Sequence, residues 1–541
     1  MDTQKIALYA ALFFVGLMLF TSWKKDYPNT PVQTPAQVEK VQSTGTDVNS
    51  GSEPVSVAAV SHSEQTTEPS SKQLITVKTN VLNIAIDRQG GNIIDASLLK
   101  YFQDMDGSHT PYVLFNTKSA TKYVSDSGLT NLSKKTPVFT SSQDNYVMSQ
   151  DQKDLTVTLR WQGNNGVSII KKFHFSKDSY LVNVEYQITN HSSNTWVGNL
   201  YTKLSRMKPA DTGSSIFQIS AFTGASISDP AGKHYEKISF DKMIKSPVNR
   251  VVKSGWEAMQ EHYFLTAWVP PVGELNNYYT HVSESGLFTV GAIGPQIDVA
   301  AGQEKTVSAK LYIGPESTDT LKAIAPGLEL TVDYGFLWFI AFPIFWLMKQ
   351  IYSIVGNWGW SIILVTVVIK LLFYHLSSKS YRSMAMMRKF QPKIEALKQR
   401  YGDDKQKMSQ ALMELYKKEK INPFGGCLPI LIQIPVFIAL YWVLLESVEL
   451  RHAPFILWIK DLSAPDPYFV LPIIMGITMF VQNKLNPAPP DPIQAKMMMF
   501  LPAVFTVLFL YFPSGLVLYW VVNNIISILQ QWHVNRTINP A

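Results

Sequence analysis

The sequence predicts a multi-domain membrane protein, in which an all-β domain is joined to an α-helical bundle of six transmembrane spans. Hydrophobic residues make up 46% of the 541 residues and charged residues only 16%, against ~25% charged in an average soluble domain. The mean hydropathy of +0.02 is nevertheless too low for a chain that lies wholly in the membrane. A long stretch of strand-like alternation precedes a series of uncharged apolar runs, so we expect a water-exposed part followed by a membrane part.

The excess of basic charge lies in one segment. The net charge of the chain is +7, and residues 371–424 hold 12 Lys and Arg against 5 Asp and Glu, which leaves the rest of the chain neutral. Because this segment lies between hydrophobic runs, the positive-inside bias makes it a cytoplasmic loop rather than a nucleic-acid surface. The single cysteine excludes a disulfide framework and a metal site with several thiolates.

The first element is a predicted N-terminal transmembrane anchor over residues 1–23. Ile6–Trp23 is uncharged and mostly apolar, close to the ~20 residues that cross the hydrocarbon of a bilayer. A cleaved signal peptide is the competing interpretation, but the only basic residue before this stretch is Lys5 and no small-x-small cleavage site precedes Lys24. Residues 24–72 contain few large apolar side chains, and we expect a flexible linker there.

The next element is a predicted all-β domain over residues 73–325. Apolar residues alternate with polar ones in several segments, for example in 82–86 and 180–188. This period of two, together with turn signals such as Gly90-Gly91, predicts antiparallel sheets that each pack on one face. We therefore expect a β-sandwich.

Residues 326–349 are predicted to form an interfacial amphipathic helix. The apolar segment Tyr334–Met348 has 15 residues with Pro343 inside it, which is about 22 Å as a helix and short of the hydrocarbon thickness. Its aromatic residues are typical of a helix that lies at the level of the headgroups.

Five further spans are predicted from the remaining uncharged runs. Span 2 covers 350–375, span 3 covers 425–445, span 4 covers 468–483, span 5 covers 497–512 and span 6 covers 514–532. The last two share one uncharged run of 36 residues, which Pro513-Ser514-Gly515 divides into two short helices. Short spans tend to thin the bilayer around them.

The orientation of the spans follows from the basic segment, residues 376–424, which we place in the cytoplasm. The predicted outer segments are then 24–335 and 446–467, and the predicted inner segments are 484–496 and the tail 533–541. Both termini are cytoplasmic in this arrangement. Lys24 and Lys25 weakly oppose it, whereas five of the six loops agree with it.

Polar pairs four residues apart recur in the predicted spans. They are Thr366/Lys370, Thr478/Gln482 and Tyr519/Asn523, and Gln433 lies in a fourth span. Side chains at this spacing lie on one helix face, and polar groups at membrane depth are costly unless they face a bundle interior or a wet cavity. We therefore expect a hydrophilic recess that is open to the cytoplasm and closed to the outside. Hydrogen bonding between helices and, for Lys370, snorkelling to the inner surface are the simpler alternatives.

The cytoplasmic segment is predicted to be an antiparallel helical hairpin. Its helices are Ser377–Arg400 and Asp403–Lys420, joined at Gly402, and Pro392 should kink or interrupt the first. The apolar residues expected to oppose each other are Met384, Met387, Ile394 and Leu397 against Met408, Leu412 and Leu415. The basic residues expected to bind lipid headgroups, a partner or a nascent chain are Arg388, Lys389, Lys393, Lys398 and Arg400. A solvated face that only fixes the topology is the alternative.

No catalytic site is visible in the sequence. It has no Walker A motif, no H-E-x-x-H and no G-x-S-x-G, and the predicted spans have no Asp or Glu at mid-depth. The histidines of the outer domain lack the spacing of metal ligands. We therefore expect a protein that is not an enzyme and that has neither a metal nor a cofactor.

Several motifs of the chain resemble those of one family. NPFGGCLPILIQIPVFIALY (Asn422–Tyr441) and FPSGLVLYWVVNN (Phe512–Asn524) are similar to the signature spans of the YidC membrane protein insertases. GWSIILVT, at Gly359–Thr366, and the hairpin sequence SMAMMRKFQPKIEALKQRYGDDKQ are similar too. The likeness is dense over 330–535 and looser over the anchor and the outer domain. It implies the Gram-negative layout, with a first anchor, a large periplasmic domain of the β-supersandwich type and a conserved core of five spans.

The resemblance also implies a function. It implies an insertase and folding chaperone of the bacterial inner membrane, which acts alone or beside the Sec translocon through a groove in the inner leaflet. The positive residue of that groove maps to Lys370, where the family usually has Arg, and substrate-contact positions map to Thr366, Tyr519 and Trp520. Since a buried Lys can lose its proton and Arg effectively cannot, the need for charge at this position becomes a question for this chain.

The partners that the resemblance implies are newly made membrane proteins, the Sec translocon with its accessory subunits, and membrane lipids. The signal recognition particle, its receptor and the ribosome are candidates for the cytoplasmic hairpin. The tail ends at Ala541 without the basic extension that some members use to contact the ribosome. No direct nucleic-acid partner is expected.

Two other functions stay open at this point. A secondary transporter with Lys370 as its coupling site is disfavoured, because the spans lack an acidic residue and show no inverted repeat. A sugar-modifying enzyme in the outer domain would need paired carboxylates and a histidine in one cleft, and the sequence alone does not settle whether they meet.

Overall fold

The computed structural model describes residues 73–105, 109–210, 221–401, 404–419, 428–486 and 492–538. The predicted anchor 1–23 and linker 24–72 lie outside the described residues. So do Gly402, the first three residues of predicted span 3 and the last three residues of the predicted tail.

Nineteen strands are found in the described part of the outer domain. They are β1 Leu74–Lys78, β2 Leu82–Asp87, β3 Asn92–Phe102, β4 Pro111–Phe115, β5 Tyr123–Leu129, β6 Thr140–Ser141, β7 Asn145–Val147, β8 Asp154–Gln162, β9 Val167–Ser176, β10 Leu181–Asn190, β11 Trp196–Met207, β12 Gly224–Ile227, β13 Glu236–Ile238, β14 Asn249–Lys253, β15 Glu257–Glu261, β16 Phe264–Val269, β17 Leu275–Val282, β18 Leu287–Val299 and β19 Glu304–Pro315. Two short helices, α1 Phe240–Lys245 and α2 Thr318–Ile324, accompany them.

The strands form two large sheets. One has the order β14-β17-β18-β11-β5-β3-β2-β1-β7, with β4 paired to β3, and the other has the order β13-β12-β15-β16-β19-β10-β9-β8-β6. Neighbouring strands are antiparallel except for β1 and β7. The prediction of a domain rich in antiparallel sheet is confirmed.

The two sheets pack on a shared apolar core and are tied by a few polar contacts. Residues at every second position of β10 are buried, as the alternation in 180–188 predicts. Trp268 Nε1 of one sheet donates to Ser125 Oγ of the other over 3.0 Å. The hydroxyls of Ser127 and Tyr186 lie 2.9 Å apart. These hydrogen bonds satisfy polar groups that the core would otherwise leave unpaired.

The second part of the chain is helical from Trp338 onward. Its helices are α3 Trp338–Val355, α4 Trp358–Leu372, α5 Tyr374–Lys389, α6 Gln391–Tyr401, α7 Lys405–Lys418, α8 Leu428–Glu446, α9 Val470–Leu485, α10 Pro492–Phe509 and α11 Ser514–Ile538.

The boundary between α3 and α4 corrects two predictions. The first helix does not end at Met348 but continues to Val355, where Gly356 takes a left-handed conformation with φ of 69°. Asn357 then caps α4 by accepting the N–H of Trp360 over 3.2 Å. The predicted span 350–375 is therefore not one helix, because an uncharged run does not reveal a break of this kind.

The number of spans is not established by helix length. In the described part of the chain, Gly335–Val355, with 21 residues, is the one helical stretch that is long and apolar enough to cross a membrane by itself. The helix that contains most of Tyr334–Met348 is therefore longer than the sequence argument assumed, and the interfacial placement of residues 326–349 stays a prediction. α4 and α5 reach the necessary length only together, and they are bent by 68°. Three further stretches are apolar but shorter: Gln433–Glu446, Val470–Leu485 and Ala495–Phe509. The count of six spans stays a prediction.

The predicted cytoplasmic hairpin is shorter than the sequence predicts. The predicted helix Ser377–Arg400 is divided into α5 and α6 at Phe390. Pro392 lies in the first turn of α6, where a missing N–H costs little. The hairpin proper consists of α6 and α7.

Two of the predicted hairpin contacts are wrong. Met384 is buried with Tyr381 against Val534 of α11, and Met387 packs on the same cluster. These methionines therefore attach α5 to the last helix and do not oppose α7. The helix α5 belongs to the packed bundle, and its Tyr381 interacts with Ser527, the hydrogen-bond partner of Lys370.

Candidate functional site

The candidate site is a line of buried polar side chains where α4, α5 and α11 meet, and we call it the polar seam. Its buried members are Ser361, Thr366 and Lys370 of α4, Ser377, Ser380 and Tyr381 of α5, and Asn523, Ser527 and Gln530 of α11. The i, i+4 spacing of Thr366 and Lys370, and of Asn523 and Ser527, places these residues on the facing sides of their helices. The structure thus places the predicted pair Thr366/Lys370 near Asn523, one member of the predicted pair Tyr519/Asn523.

Lys370 is the only cation in the polar seam. Its side chain is 5% exposed, and its Nζ donates a hydrogen bond to Ser527 Oγ over 2.7 Å. Ser527 Oγ in turn donates to the carbonyl of Asn523 over 2.7 Å, and the Tyr381 hydroxyl also interacts with Ser527. In the residues that the structure describes, no carboxylate interacts with Lys370. The Lys370 amine is therefore held by a hydroxyl, and no counter-charge is found for it among the described residues.

The other polar groups of α4 are satisfied within their own helix. Thr366 Oγ1 donates to the carbonyl of Ile362 over 2.7 Å, and Ser361 Oγ donates to the carbonyl of Asn357 over 2.9 Å. Bonds from a hydroxyl to the carbonyl four residues earlier are common for Ser and Thr in helices. Thr366 therefore provides a small polar surface beside Lys370 and needs no partner from another helix.

A second set of polar contacts lies between α9 and α11. Asn524 Nδ2 donates to Thr478 Oγ1 over 3.1 Å, and Gln531 Nε2 donates to the carbonyl of Leu485 over 3.2 Å. Gln482, the predicted partner of Thr478 on the same face, is half-buried. The pairs predicted from spacing therefore do not all meet: Thr478 contacts Asn524, whereas the carbonyl of Asn523 accepts from Ser527 in the polar seam.

The aromatic positions predicted to touch the substrate lie in an apolar cluster. Tyr519 is 3% exposed, and its ring centroid is 6.3 Å from that of Phe437. Trp520 packs edge-on to Phe437 at 4.6 Å, while its Nε1 is buried without a partner in the described structure. Gln433, on the same helix as Phe437, is half-buried. Tyr519 and Trp520 thus join α11 to α8 through Phe437.

The end of the bundle opposite the hairpin is closed by the loop between α8 and α9. The N–H groups of Ser514 and Gly515, at the start of α11, donate to the carbonyls of Ala464 and Leu462. Phe455 lies so close to Gly359 that a Cβ there would be 2.0 Å from its ring. This end of the bundle is therefore packed against a loop that main-chain hydrogen bonds hold in place.

Asp466 fixes that loop to the start of α9. Its carboxylate accepts the N–H groups of Leu471 over 2.8 Å and of Tyr468 over 3.0 Å. It also accepts the indole N–H of Trp458 over 3.0 Å. An acidic residue at a helix N-terminus is favourable both as a cap and toward the helix dipole.

The basic residues of the hairpin face solvent. Arg388, Lys389, Lys393 and Arg400 are exposed, and Lys393 forms an ion pair with Glu419 of the segment after α7 over 3.0 Å. The side chain of Lys398 lies outside the described residues. Among the described residues, no contact joins these basic side chains to the polar seam.

Sequence spacing alone did not point to Tyr381, Ser377 and Ser380. The predicted hairpin assigned α5 to the cytoplasm, so its polar residues were expected to be solvated. The signal that could have found them is the short run of serines, Ser377 to Ser383, on a helix with buried Met384. No group of three or more potential metal ligands occurs in the described residues.

Family models match nearly the whole described chain. The model "YidC periplasmic domain" matches residues 74–347, and the model "60Kd inner membrane protein" matches residues 350–541. The boundary between the two matches falls near the end of α3.

Relatives of high identity span the full chain. A protein named "Membrane protein insertase YidC" from Legionella pneumophila (strain Paris) is 51% identical over 99% of this chain and 97% of its own length. Proteins of the same name from Coxiella burnetii (strain Dugway 5J108-111) and Pseudomonas putida (strain F1) are 46% and 48% identical, each over at least 99% of this chain.

Solved structures are similar at a lower level. "Active YidC insertase crystal structure with the first transmembrane domain resolved" gives a TM-score of 0.39 at 19% identity, over 86% of this chain and 92% of that chain. A galactose mutarotase related enzyme from Lactobacillus acidophilus gives a TM-score of 0.30 at 8% identity, over 44% of this chain and 97% of that one. At these TM-scores neither likeness carries an argument about structure or activity.

Proposed function

The chain belongs to the YidC family of membrane protein insertases, and from this premise we propose that it inserts membrane segments by way of the polar seam around Lys370. The family makes it a bacterial inner-membrane protein whose substrates are newly made membrane proteins. The proposal adds the route: a hydrophilic groove, open to the cytoplasm and to lipid, in which Lys370 receives acidic residues of the incoming segment.

The observation that carries the proposal is the burial of the Lys370 amine and the partners that surround it. It is buried, it donates to one hydroxyl, and it has no carboxylate partner in the described chain. Burying a charge without a counter-charge is costly. An acidic side chain of a substrate would relieve that cost, so the seam favours the entry of acid-bearing loops over neutral or basic ones.

The energetics of insertion fit a polar seam of this kind. A charge at the centre of a spanning helix costs ~2.5–3.5 kcal/mol on insertion scales, and a polar path through part of the bilayer shortens the distance over which that cost applies. The apolar part of the substrate gains free energy by leaving water for lipid. In this proposal, that transfer drives insertion, and no nucleotide is needed.

The closed end of the bundle supports a groove with one opening. We propose that the loop 446–467 lies on the periplasmic side and seals the seam there, through the contacts of Leu462, Ala464 and Asp466 described above. The cytoplasmic side then carries the basic hairpin. Its exposed residues Arg388, Lys389, Lys393 and Arg400, with Lys398, are the proposed contacts for lipid headgroups, for a ribosome and for targeting factors.

The proposed partners beyond substrates are the Sec translocon and its accessory subunits. The proposal has the chain act in two ways, alone on short substrates and beside the translocon as a folding chaperone on longer ones. The outer domain contacts the helical part directly, since Arg451 donates to the carbonyl of Phe102 over 2.7 Å. It is therefore positioned by the same loop that seals the seam.

The test uses the purified full chain in liposomes, without Sec proteins or nucleotide. The substrate is a short membrane protein with one translocated acidic loop, and protection of that loop from added protease reports insertion. We expect protection only with the protein present. Lys370→Gln should lose most of it, whereas Lys370→Arg should keep it, since Arg retains the charge.

A matched control is Lys484→Gln, which removes an exposed lysine at the end of α9 and should leave insertion unchanged. Full activity of Lys370→Gln would refute the charge role of Lys370. Protection that requires added Sec proteins would refute autonomous insertion but leave the role of Lys370 to be measured in the combined system.

A further inference from the structure

A cleft of about 840 Å³ lies in the outer domain, between the β8–β9 hairpin and the segment Leu132–Thr140. It shares no residue with the polar seam. Its lining includes charged, amide and hydroxyl side chains, together with the half-buried ring of Trp161. None of the functions considered so far uses this cleft.

The walls of the cleft are held by hydrogen bonds on both sides. The N–H of Gly90 donates to the carbonyl of Pro137 over 2.8 Å, and the N–H of Phe139 donates to the carbonyl of Arg88 over 2.8 Å. Asn165 Nδ2, in the β8–β9 turn, donates to the carbonyl of Leu132 over 3.4 Å. The cleft is therefore formed before any ligand arrives, which lowers the entropy cost of binding.

One edge of the cleft is a strand whose pairing stops early. The short strand β6 pairs with β8 at two positions, Thr140 with Arg160 and Ser141 with Leu159. Continued antiparallel pairing would place Val138 opposite Gln162. Val138 instead forms a bridge with Gln89, so the chain leaves β8, and among the strands that the structure describes none lies beside Gln162 on that side.

The main-chain groups at this edge point in the right direction to accept a strand. The N–H of Gly163 donates to the carbonyl of Val167 over 2.8 Å, toward β9. Main-chain groups alternate in direction along a strand, so those of Gln162 point away from β9, as do those of Arg160. The carbonyl of Arg160 accepts from Thr140 Oγ1 over 3.1 Å on that side, which supports this direction. The N–H and C=O of Gln162 are therefore available on that side to the main chain of an extended peptide.

The charge of the cleft selects what can bind there. Arg160 and Lys135 are exposed and line it, and its lining residues include no Asp or Glu. Val138, which is 61% exposed, and Trp161 add apolar surface beside the cations. Positive charge without acidic neighbours favours a negatively charged partner and disfavours a basic one.

We propose that this cleft binds an extended acidic peptide segment, which adds as a strand to the edge of β8 at Gln162 while its carboxylates contact Arg160 and Lys135. The main chain of the peptide supplies the hydrogen bonds and its acidic side chains supply the selectivity. The inference does not depend on the role of Lys370, because it concerns a separate site that binding alone can test.

The experiment measures fluorescence anisotropy of a labelled ten-residue peptide of alternating Asp and Thr, with the full chain in phosphatidylcholine nanodiscs. A Ser-Thr peptide of the same length tests charge, and the Asp-Thr peptide with N-methyl groups at alternate residues tests strand addition. We expect the Asp-Thr peptide to bind about tenfold more tightly than either control. Raising the salt concentration should weaken its binding.

The variants address the protein side. Arg160→Glu with Lys135→Glu should weaken binding of the Asp-Thr peptide by about tenfold or more. Lys153→Glu, an exposed lysine just before β8, is the matched control and should leave the affinity unchanged. Because these residues are on the surface, all three substitutions should leave the melting temperature unaltered.

Three outcomes would overturn the proposal. Equal affinity for the Asp-Thr and Ser-Thr peptides would remove the role of charge. Unchanged affinity after N-methylation would remove strand addition. Tighter binding of tri-galacturonic acid than of the Asp-Thr peptide, with the same loss in the Arg160/Lys135 variant, would make the cleft a site for acidic saccharides and not for peptides.

Discussion

Lys171 in the outer domain and Lys370 in the helical part are the buried lysines of the described chain, and they are held in different ways. Lys171 Nζ donates to the carbonyl of Ser127 over 2.9 Å and lies about 5 Å from the ring centroids of both Phe173 and Tyr186. Lys370 donates to a hydroxyl, and in the described part of the chain neither an aromatic face nor a carboxylate lies against its amine.

On the proposal above, the difference separates a lysine of the core from a lysine that serves a substrate. A carbonyl oxygen, two aromatic faces and the field of Asp126 offset part of the cost of burying the Lys171 amine, and burial nevertheless lowers its pKa to about 7. The Lys370 amine has a hydroxyl partner, which is weaker for a full charge than a carboxylate. In the proposal, an acidic side chain of the substrate supplies the missing counter-charge.

The largest expected effect tests this contrast directly. Lys370→Glu should reduce insertion of a loop that carries acidic residues by about tenfold or more, because attraction becomes repulsion in a site of low polarity. Lys171→Met should leave insertion unaltered, and protease protection in liposomes measures both. An equal loss in the two variants would show that both lysines act through folding.

The next effect concerns the stability of the outer domain above neutral pH. Because burial lowers the pKa of Lys171 to about 7 from 10.5, the unfolded chain binds more protons between pH 7 and pH 10. The free energy of unfolding should therefore rise with pH in this window, by at most about 1.4 kcal/mol per pH unit. Lys171→Met should lack this rise, as measured by thermal unfolding of the full chain in detergent. A rise of the same size in the variant would assign it to other groups.

A buried carboxyl group in the same domain should change the stability with pH in the opposite direction. Burial raises the pKa of Glu257 to about 8, although Thr202 donates a hydrogen bond to it. The folded chain then binds more protons between pH 4.5 and pH 8, so stability falls as the pH rises through this window. The free energy of unfolding of Glu257→Gln should not change with pH in this window. At pH 8 this variant should be more stable than the wild type. Identical pH profiles for Glu257→Gln and the wild type would show that Glu257 is ionised in the folded state.

The smallest expected effect concerns the one partner of Lys370. Ser527→Ala removes a net hydrogen bond worth about 1 kcal/mol and should lower the melting temperature slightly. The positive charge remains, so insertion of the acidic loop should fall by only a few-fold. A loss as large as that of Lys370→Glu would mean that the position of the amine, rather than its charge, limits insertion.

Periodicity explains what could be predicted from the sequence. Alternation predicted the strands because one face of each sheet is buried, and Lys171 could be found on the same ground, since it shares its parity with Ile169 and Phe173 of β9. The spacing of four placed Thr366 and Lys370 on one face of α4. It could not choose between Asn523 and Asn524, because adjacent residues on a helix differ by only about 100°.

Breaks within apolar runs explain most of what was missed. Gly356 and Asn357 interrupt an uncharged stretch whose composition is typical of one span, and the left-handed conformation of Gly356 becomes visible only in the fold. The bend between α4 and α5 at Phe373 is a second break that the composition of the sequence does not reveal. It carries Tyr381 toward Ser527, whereas the basic residues around it indicated a cytoplasmic helix.

The most direct test of the central claim is a charge exchange between Lys370 and the substrate. Wild type and Lys370→Glu are each combined with a substrate loop that carries either four Asp or four Lys, and protease protection is measured in liposomes for all four pairs. The account predicts that Lys370→Glu inserts the acidic loop less well than the wild type does and inserts the basic loop better than the wild type does. Equal ratios of variant to wild-type insertion for the two loops would contradict it, because the effect of the charge at residue 370 would then not depend on the charge of the substrate loop.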